Sequence, residues 1–336
     1  MATLRGEPVD RPAVNFYEVG GFRIDPSDPD EFNVYNDPSW QPLLRLAEEH
    51  SDVIRMRSPI KSRSHEVNVS HYKMLEYVED GCRFSRVRLQ AGGRTLTSLT
   101  RRCPDVDTLW TIEHLLKSVD DLKAYLEVPD EVFAEEVDVT ALIEEDQRLA
   151  EKGIIMIDTD HIYARTEATA KAFPGHLWRI YGPEFATEPY LPPHLFKDYV
   201  VRYTGPMVEM IQKHGGFARI HCHGRIRAVL DYIAEMGATA IDPIEPPPQG
   251  DVELSEVRRR YGRELVLFGN IEFADIEHAE PAEFEKIVAK ALKDGTDGEG
   301  KGFVLMPSSA PISRTISSKV MANYETMIHL AANFGS

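Results

Sequence analysis

The chain has 336 residues, 42% of them hydrophobic and 28% charged, and a formal net charge of −17. That composition supplies a globular core and argues against nucleic acid or an anionic membrane surface as a partner. No run approaches the roughly 18 apolar residues of a membrane span, and MATLRGEPVDRP lacks a signal-peptide apolar segment. The three cysteines, Cys82, Cys103 and Cys222, have no framework spacing, which points to free thiols and a cytoplasmic location.

In chain order, PAVNFYEV (12–19) reads as a first strand ending at Gly20-Gly21. The Asp- and Pro-rich stretch to Trp40 reads as an ordered loop or lid. Pro42 to His50 is a helix and Asp52 to Met56 a second strand. From His65 to about Trp110 the pattern becomes antiparallel, with HEVNVSHY and RVRLQAG alternating and Gly92-Gly93 at a turn. A helix starts at Ser118. Residues from about 60 to 115 therefore form a β-rich insertion within one domain spanning 1–336.

Beyond residue 140, helices and strands alternate. Thr140 to Lys152 is a helix, IIMID a strand, Ala164 to Phe173 a short polar run, and GHLWRIY strand-like. Pro193 to His214 is a long helix with Leu195, Tyr199, Val200, Tyr203, Met207, Met210 and Ile211 near one side. FARIHC is a strand, followed by a helix carrying Ile226, Val229, Leu230 and Ile233 at i, i+3, i+4 and i+7. ATAIDPI, ELVLFGN and GFVLMP are further strands. Helices fall at Val252 to Tyr261, Pro281 to Leu292 and Ser317 to Leu330, and GTDGEGKG reads as a flexible linker. Short strands separated by helices imply βαβ units, and about eight of them without a GxGxxG favour a closed (β/α)8 barrel.

A barrel of this kind carries its chemistry at the C-terminal ends of the strands. In FARIHCHG the period of two places His221 and His223 on one face and Cys222 on the other. Two imidazoles aimed together suit a divalent metal or a carboxylate substrate. The other strand ends offer Tyr17 and Glu18; Asp158, Asp160 and His161; Tyr181 and Glu184; Asp242 and Glu245; Asn270 and Glu272; and Ser308 and Ser309. Asp158 and Asp160 serve equally as turn caps, and Ser308 and Ser309 as loop hydroxyls that satisfy backbone groups. Glu184 and Glu245 stand beside prolines, which would hold each carboxylate rigidly at the mouth.

The run HLWRIYGPEFATEPYLPPHLFKDYV, followed by MVEMIQKHGGFARIHCHGRIRAVLDYIAEMGATAIDPIEPPP, resembles the uroporphyrinogen decarboxylase superfamily. So do GNIE and VLMPSSAPIS. The resemblance covers about residues 140–330 and implies a (β/α)8 TIM barrel, often paired as a homodimer. It implies one of two chemistries. The decarboxylase branch uses no cofactor and has an arginine-rich N-terminal segment, where this chain reads FYEVGGFR with Glu18. The zinc- and corrinoid-dependent methyltransferase branch has a His-x-Cys pair and a distant Cys. His221 matches that histidine, while His223 stands where the first thiolate would be and Ser309 falls near the position of the distant one.

The leading expectation is a zinc-dependent methyltransferase or demethylase acting on a small methylated or methoxylated molecule. A corrinoid (methylcobalamin) protein would be its partner. His221, His223 and Glu245 are the candidate metal ligands; Glu18, Asp158, Glu184, Glu245 and Asn270 are the candidate catalytic residues. Tyr17, Tyr181, Ser308 and Ser309 are the candidate substrate contacts. The alternatives are a cofactor-free decarboxylase of an acidic, porphyrinogen-like substrate and a non-catalytic ligand-binding barrel.

Overall fold

The structure is a computed structural model that describes residues 1–62, 71–132, 136–159 and 163–335. In chain order, β1 (Ala13–Val14) and β2 (Val53–Met56) come first. They are followed by β3 (Ile60–Ser62), β4 (Tyr72–Glu79), β5 (Cys82–Ala91), β6 (Arg94–Arg102), β7 (Leu109–Glu113) and β8 (Glu136–Asp138). The second half carries β9 (Gly153–Asp158), β10 (Leu177–Ile180), β11 (Phe217–His221), β12 (Ala240–Asp242), β13 (Val266–Ile271) and β14 (Phe303–Pro307).

Eight of these strands form one parallel, curled sheet in the order β1-β14-β13-β12-β11-β10-β9-β2, the α/β architecture of a TIM-like barrel. Their sequences are near-continuous apolar runs because both faces are covered, which is the signature of a buried parallel sheet. Two clusters result. Met56, Met156, Leu177, Val266, Phe268 and Met306 fill the interior, together with Leu4 from the N-terminal helix Ala2–Arg5. Ile155, Ile157, Ala218, Ile220, Cys222 and Leu267 face the surrounding helices. Burying each large apolar side chain contributes about 1.5–3 kcal/mol. Between β2 and β1, Asp52 donates its N–H to the Val14 carbonyl at 2.7 Å and accepts the Val14 N–H on Oδ2 at 2.8 Å.

The antiparallel strands β4–β7 form a four-stranded meander. Its first two turns, Asp80-Gly81 and Gly92-Gly93, hold both residues at positive φ, as a tight two-residue hairpin requires. One face packs Leu89, Ala91 and Leu96 on Ala124, Val128 and Val132 of the segment that includes helix Val119–Leu126. Ser118 caps that helix by accepting the Asp121 N–H. Residues 105–107 join the loop after β14: Val106 bridges to Ser313, and the Asp107 N–H donates to the Ile312 carbonyl at 2.6 Å. The meander is thereby tied to the C-terminal rim of the barrel.

Several expectations are corrected. Cys82 and Cys103 form a disulfide; the register opposes Arg83 to Arg102, so the next pair outward, Cys82 and Cys103, meets across the β5–β6 hairpin. Only Cys222 is free, and it is buried. The first strand stops at Val14, because Tyr17 turns to φ 57° and the Asn15 side chain takes its N–H. Tyr163–Ala172 is a helix. The long helix from Pro193 contains a π turn over Lys197–Val201, which shifts its periodicity and leaves Tyr199 and Tyr203 exposed. The helix before GTDGEGKG runs to Thr296, where Gly295 packs on the Phe303 ring, so that stretch is not wholly a linker. Asp160, His161 and most of HEVNVSHY lie outside the described residues. No helix among the described residues is long and apolar enough to cross a membrane.

Candidate functional site

The site grows from the register of two adjacent strands. His221 of β11 stands beside Asp242 of β12 with both side chains turned inward. His221 Nδ1 lies 2.7 Å from Asp242 Oδ2. Two residues on, His223 Nδ1 lies 2.7 Å from Glu245 Oε1, and the Gly224 N–H donates to Glu245 Oε2 at 2.6 Å. The two imidazoles meet edge to face, with centroids 4.5 Å apart. Each carboxylate accepts the Nδ1 proton and leaves Nε2 with its lone pair, a tautomer assigned from these partners.

The same inward alternation brings Arg219 beneath His221. Arg219 is wholly buried, its Nε 3.0 Å from Asp242 Oδ1 and its guanidinium over the Phe268 ring. The contact is ionic rather than an aligned hydrogen bond, since neither Nε nor Oδ1 has a hydrogen-bond partner. Burial pushes the Asp242 carboxyl up, but Arg219 and His221 more than offset it and hold its pKa at about 2. On the neighbouring strand, Arg179 of β10, the register partner of Arg219, makes a bidentate pair with Asp158 of β9 at 2.7 and 2.8 Å. Arg179 Nη1 also donates to the Tyr17 hydroxyl at 2.6 Å, and the Tyr17 ring stacks 6.1 Å from His221.

Around this floor stands a rim of carboxyl groups. Burial pushes Glu18 up to about 7, against the pull of Arg179 and with the added repulsion of Asp107. Glu272 is likewise pushed up to about 7 by burial and by the charge of Glu245. Burial works against ionisation of His223 and of Glu245, yet their mutual bond prevails, raising the His223 pKa and lowering that of Glu245. Glu184 Oε2 accepts the Gly182 N–H at 2.7 Å. Glu184, His223 and Glu245 share a cleft of about 380 Å³.

Not every candidate converges on the two histidines. Asp158 is committed to Arg179. The Ser308 hydroxyl donates to Glu272 Oε2 and accepts the Phe273 N–H, whereas Ser309 donates to the Ala310 carbonyl. Asn270 is the penultimate residue of β13 and Tyr181 follows β10, both half-buried. Arg179, Arg219 and Asp107 were not singled out from the sequence. The alternation that pairs His221 with His223 extends back to Arg219, so that residue carried a usable signal; Asp107 comes from the inserted meander and carried none.

Among the described residues, no group of three or more His, Cys, Asp or Glu side chains is arranged to hold a metal ion. Both oxygens of Glu245 are taken by His223 and Gly224, a role that orients a ligand. The two Nε2 atoms do fit, because a metal-binding histidine ordinarily gives its other ring nitrogen to a carboxylate. A catalytic zinc commonly has three protein ligands, and the two imidazoles offer two nitrogen donors toward that number.

Residues 182–327 match the uroporphyrinogen decarboxylase (URO-D) family model, so the stretch bearing both histidines is uroporphyrinogen decarboxylase-like. No curated protein matches the chain. A solved methyltransferase from Methanosarcina mazei is similar in fold, with a TM-score of 0.54 at 13% identity, covering 100% of this chain and 97% of that one.

Proposed function

We propose that this uroporphyrinogen decarboxylase-like barrel is a metal-dependent methyltransferase or demethylase of a small methylated molecule, with a corrinoid protein as methyl acceptor or donor. The observation that carries the reading is the pair of histidine–carboxylate dyads, His221–Asp242 and His223–Glu245, with no hydrogen bond to either Nε2 among the described residues. When bound, zinc would supply a Lewis acid beside the two imidazoles. His221 and His223 would hold it, and a third donor from the rim, Glu184, would have to turn inward, since both oxygens of Glu245 are engaged.

The chain's own residues supply the remainder. Asp242, itself held by Arg219, fixes the His221 tautomer, and Glu245 fixes that of His223. Glu18, pushed up to about 7, can hold a proton at neutral pH and pass it to a leaving group. Arg179 and Asp158 lock Tyr17 beside His221, giving the substrate a rigid wall. Tyr181, Asn270, Ser308 and Ser309 stand at neighbouring strand ends as substrate contacts. A polycarboxylate substrate fits less well, because Asp158 and Asp242 already neutralise the two buried arginines.

The test is metal content of tag-free protein purified without chelator. About one zinc per chain, lost in a His221→Ala, His223→Ala variant, is the expected result. A metal-free wild type that still fails to take up zinc overturns the reading.

A further inference from the structure

Beside the His223–Glu245 dyad, the 380 Å³ cleft has walls of an unusual kind for an exposed surface. Phe185 and Tyr190 are each 67% exposed and lean together, centroids 6.4 Å apart at 58°, forming an aromatic corner. Large rings left this open gain little from the fold itself. The remaining wall is predominantly acidic: Glu184, Glu188 and Glu245 face a single guanidinium, Arg225. Three carboxylates line the cleft beside one arginine and one imidazole, within a chain of net charge −17.

Each class of small ligand meets these walls differently. A carboxylate substrate would meet three carboxylates and a single guanidinium. A neutral ether would gain from the rings but nothing from the three carboxylates. A compact cation with an apolar skin uses both, since its charge is attracted to the carboxylates and to the faces of the aromatic rings, while its methyl groups bury ring surface. We infer that the cleft formed by Phe185, Tyr190, Glu184 and Glu188 is the binding subsite for a methylated ammonium group, presented next to His223. The inference rests on the methyl-transfer reading for its biological sense, and it narrows the substrate class to N-methylated amines.

The probe is choline, set against 3,3-dimethylbutan-1-ol, its uncharged carbon isostere, with binding to the full chain followed by calorimetry and by saturation-transfer NMR on the methyl signals. Choline is expected to bind more tightly than the alcohol, with its affinity falling as salt is added. Phe185→Leu and Tyr190→Leu keep apolar bulk at exposed positions and remove the ring. Each is expected to weaken choline about 2- to 30-fold, with the alcohol unaffected and thermal unfolding unchanged. Equal binding of the two probes, no binding of choline, or undiminished choline binding by the leucine variants each overturns the inference. Zinc content is measured on the same samples. Zinc without choline binding sinks the subsite alone; choline binding without zinc sinks the metal reading and leaves the subsite standing.

Discussion

Replacing Asp242 by asparagine removes the one negative charge between Arg219 and His221. Arg219 is wholly buried and its Nε faces Asp242 alone, so the variant leaves a guanidinium in the barrel core without a counter-charge. Removing one partner of a buried pair typically costs about 3–5 kcal/mol, a large share of the ~5–15 kcal/mol that holds a domain together. The carboxyl itself gives a second handle. Its pKa falls from 3.8 to about 2 on folding, so it contributes about 2 kcal/mol that is present above pH ~4 and is lost as the pH drops through about 2. Urea unfolding at neutral pH should show the loss in Asp242→Asn. The double variant Arg219→Met, Asp242→Asn should recover most of it, because the orphaned charge is gone. A single variant within about 0.5 kcal/mol of wild type, or a double variant no more stable than the single, would refute the argument that this pair acts as a buried ionic unit.

Three further outcomes follow from named contacts. Glu18 has its pKa raised from 4.5 to about 7, so its contribution to stability is present below pH ~4.5 and lost as the pH rises through about 7. Glu18→Gln should unfold with a flatter pH dependence and be about 1–3 kcal/mol more stable at pH 8; an unchanged pH profile counts against a buried protonated Glu18. Denatured but unreduced protein should titrate one thiol, from Cys222, and reducing Cys82–Cys103 should cost about 3 kcal/mol for closing a loop of this size; three titratable thiols would contradict the pairing. Gly250→Ala would place a Cβ 1.9 Å from the Glu245 carbonyl oxygen, so it should displace Glu245, cost about 1–3 kcal/mol and loosen His223, visible as a changed imidazole NMR shift; a wild-type spectrum and stability would argue against that close approach.

The barrel was legible because a parallel strand buried on both faces writes itself as a short apolar run, and IIMID, FARIH and VLFGNI each do so between helices. The pairing of His221 with His223 was legible from the period of two. Their partners were harder to find. Asp242 and Glu245 were visible as strand-end acids, but that each closes on a particular imidazole depends on the β11–β12 register, which no local pattern encodes. Arg179 looked like an ordinary residue of GHLWRIY until the β9–β10 register set it against Asp158. The disulfide escaped for a similar reason: 21 residues of separation say nothing until the Gly92-Gly93 turn folds Cys82 onto Cys103.

Zinc K-edge X-ray absorption on zinc-loaded wild-type protein tests the central claim most directly. The account predicts a shell of nitrogen and oxygen donors with two imidazoles and no sulfur, since Cys82 and Cys103 are joined in a disulfide and Cys222, just after β11, is buried in the outer core cluster. The imidazole signature should vanish in the His221→Ala, His223→Ala variant. A sulfur donor, or an imidazole signature that survives the double substitution, would place the metal elsewhere and contradict the account.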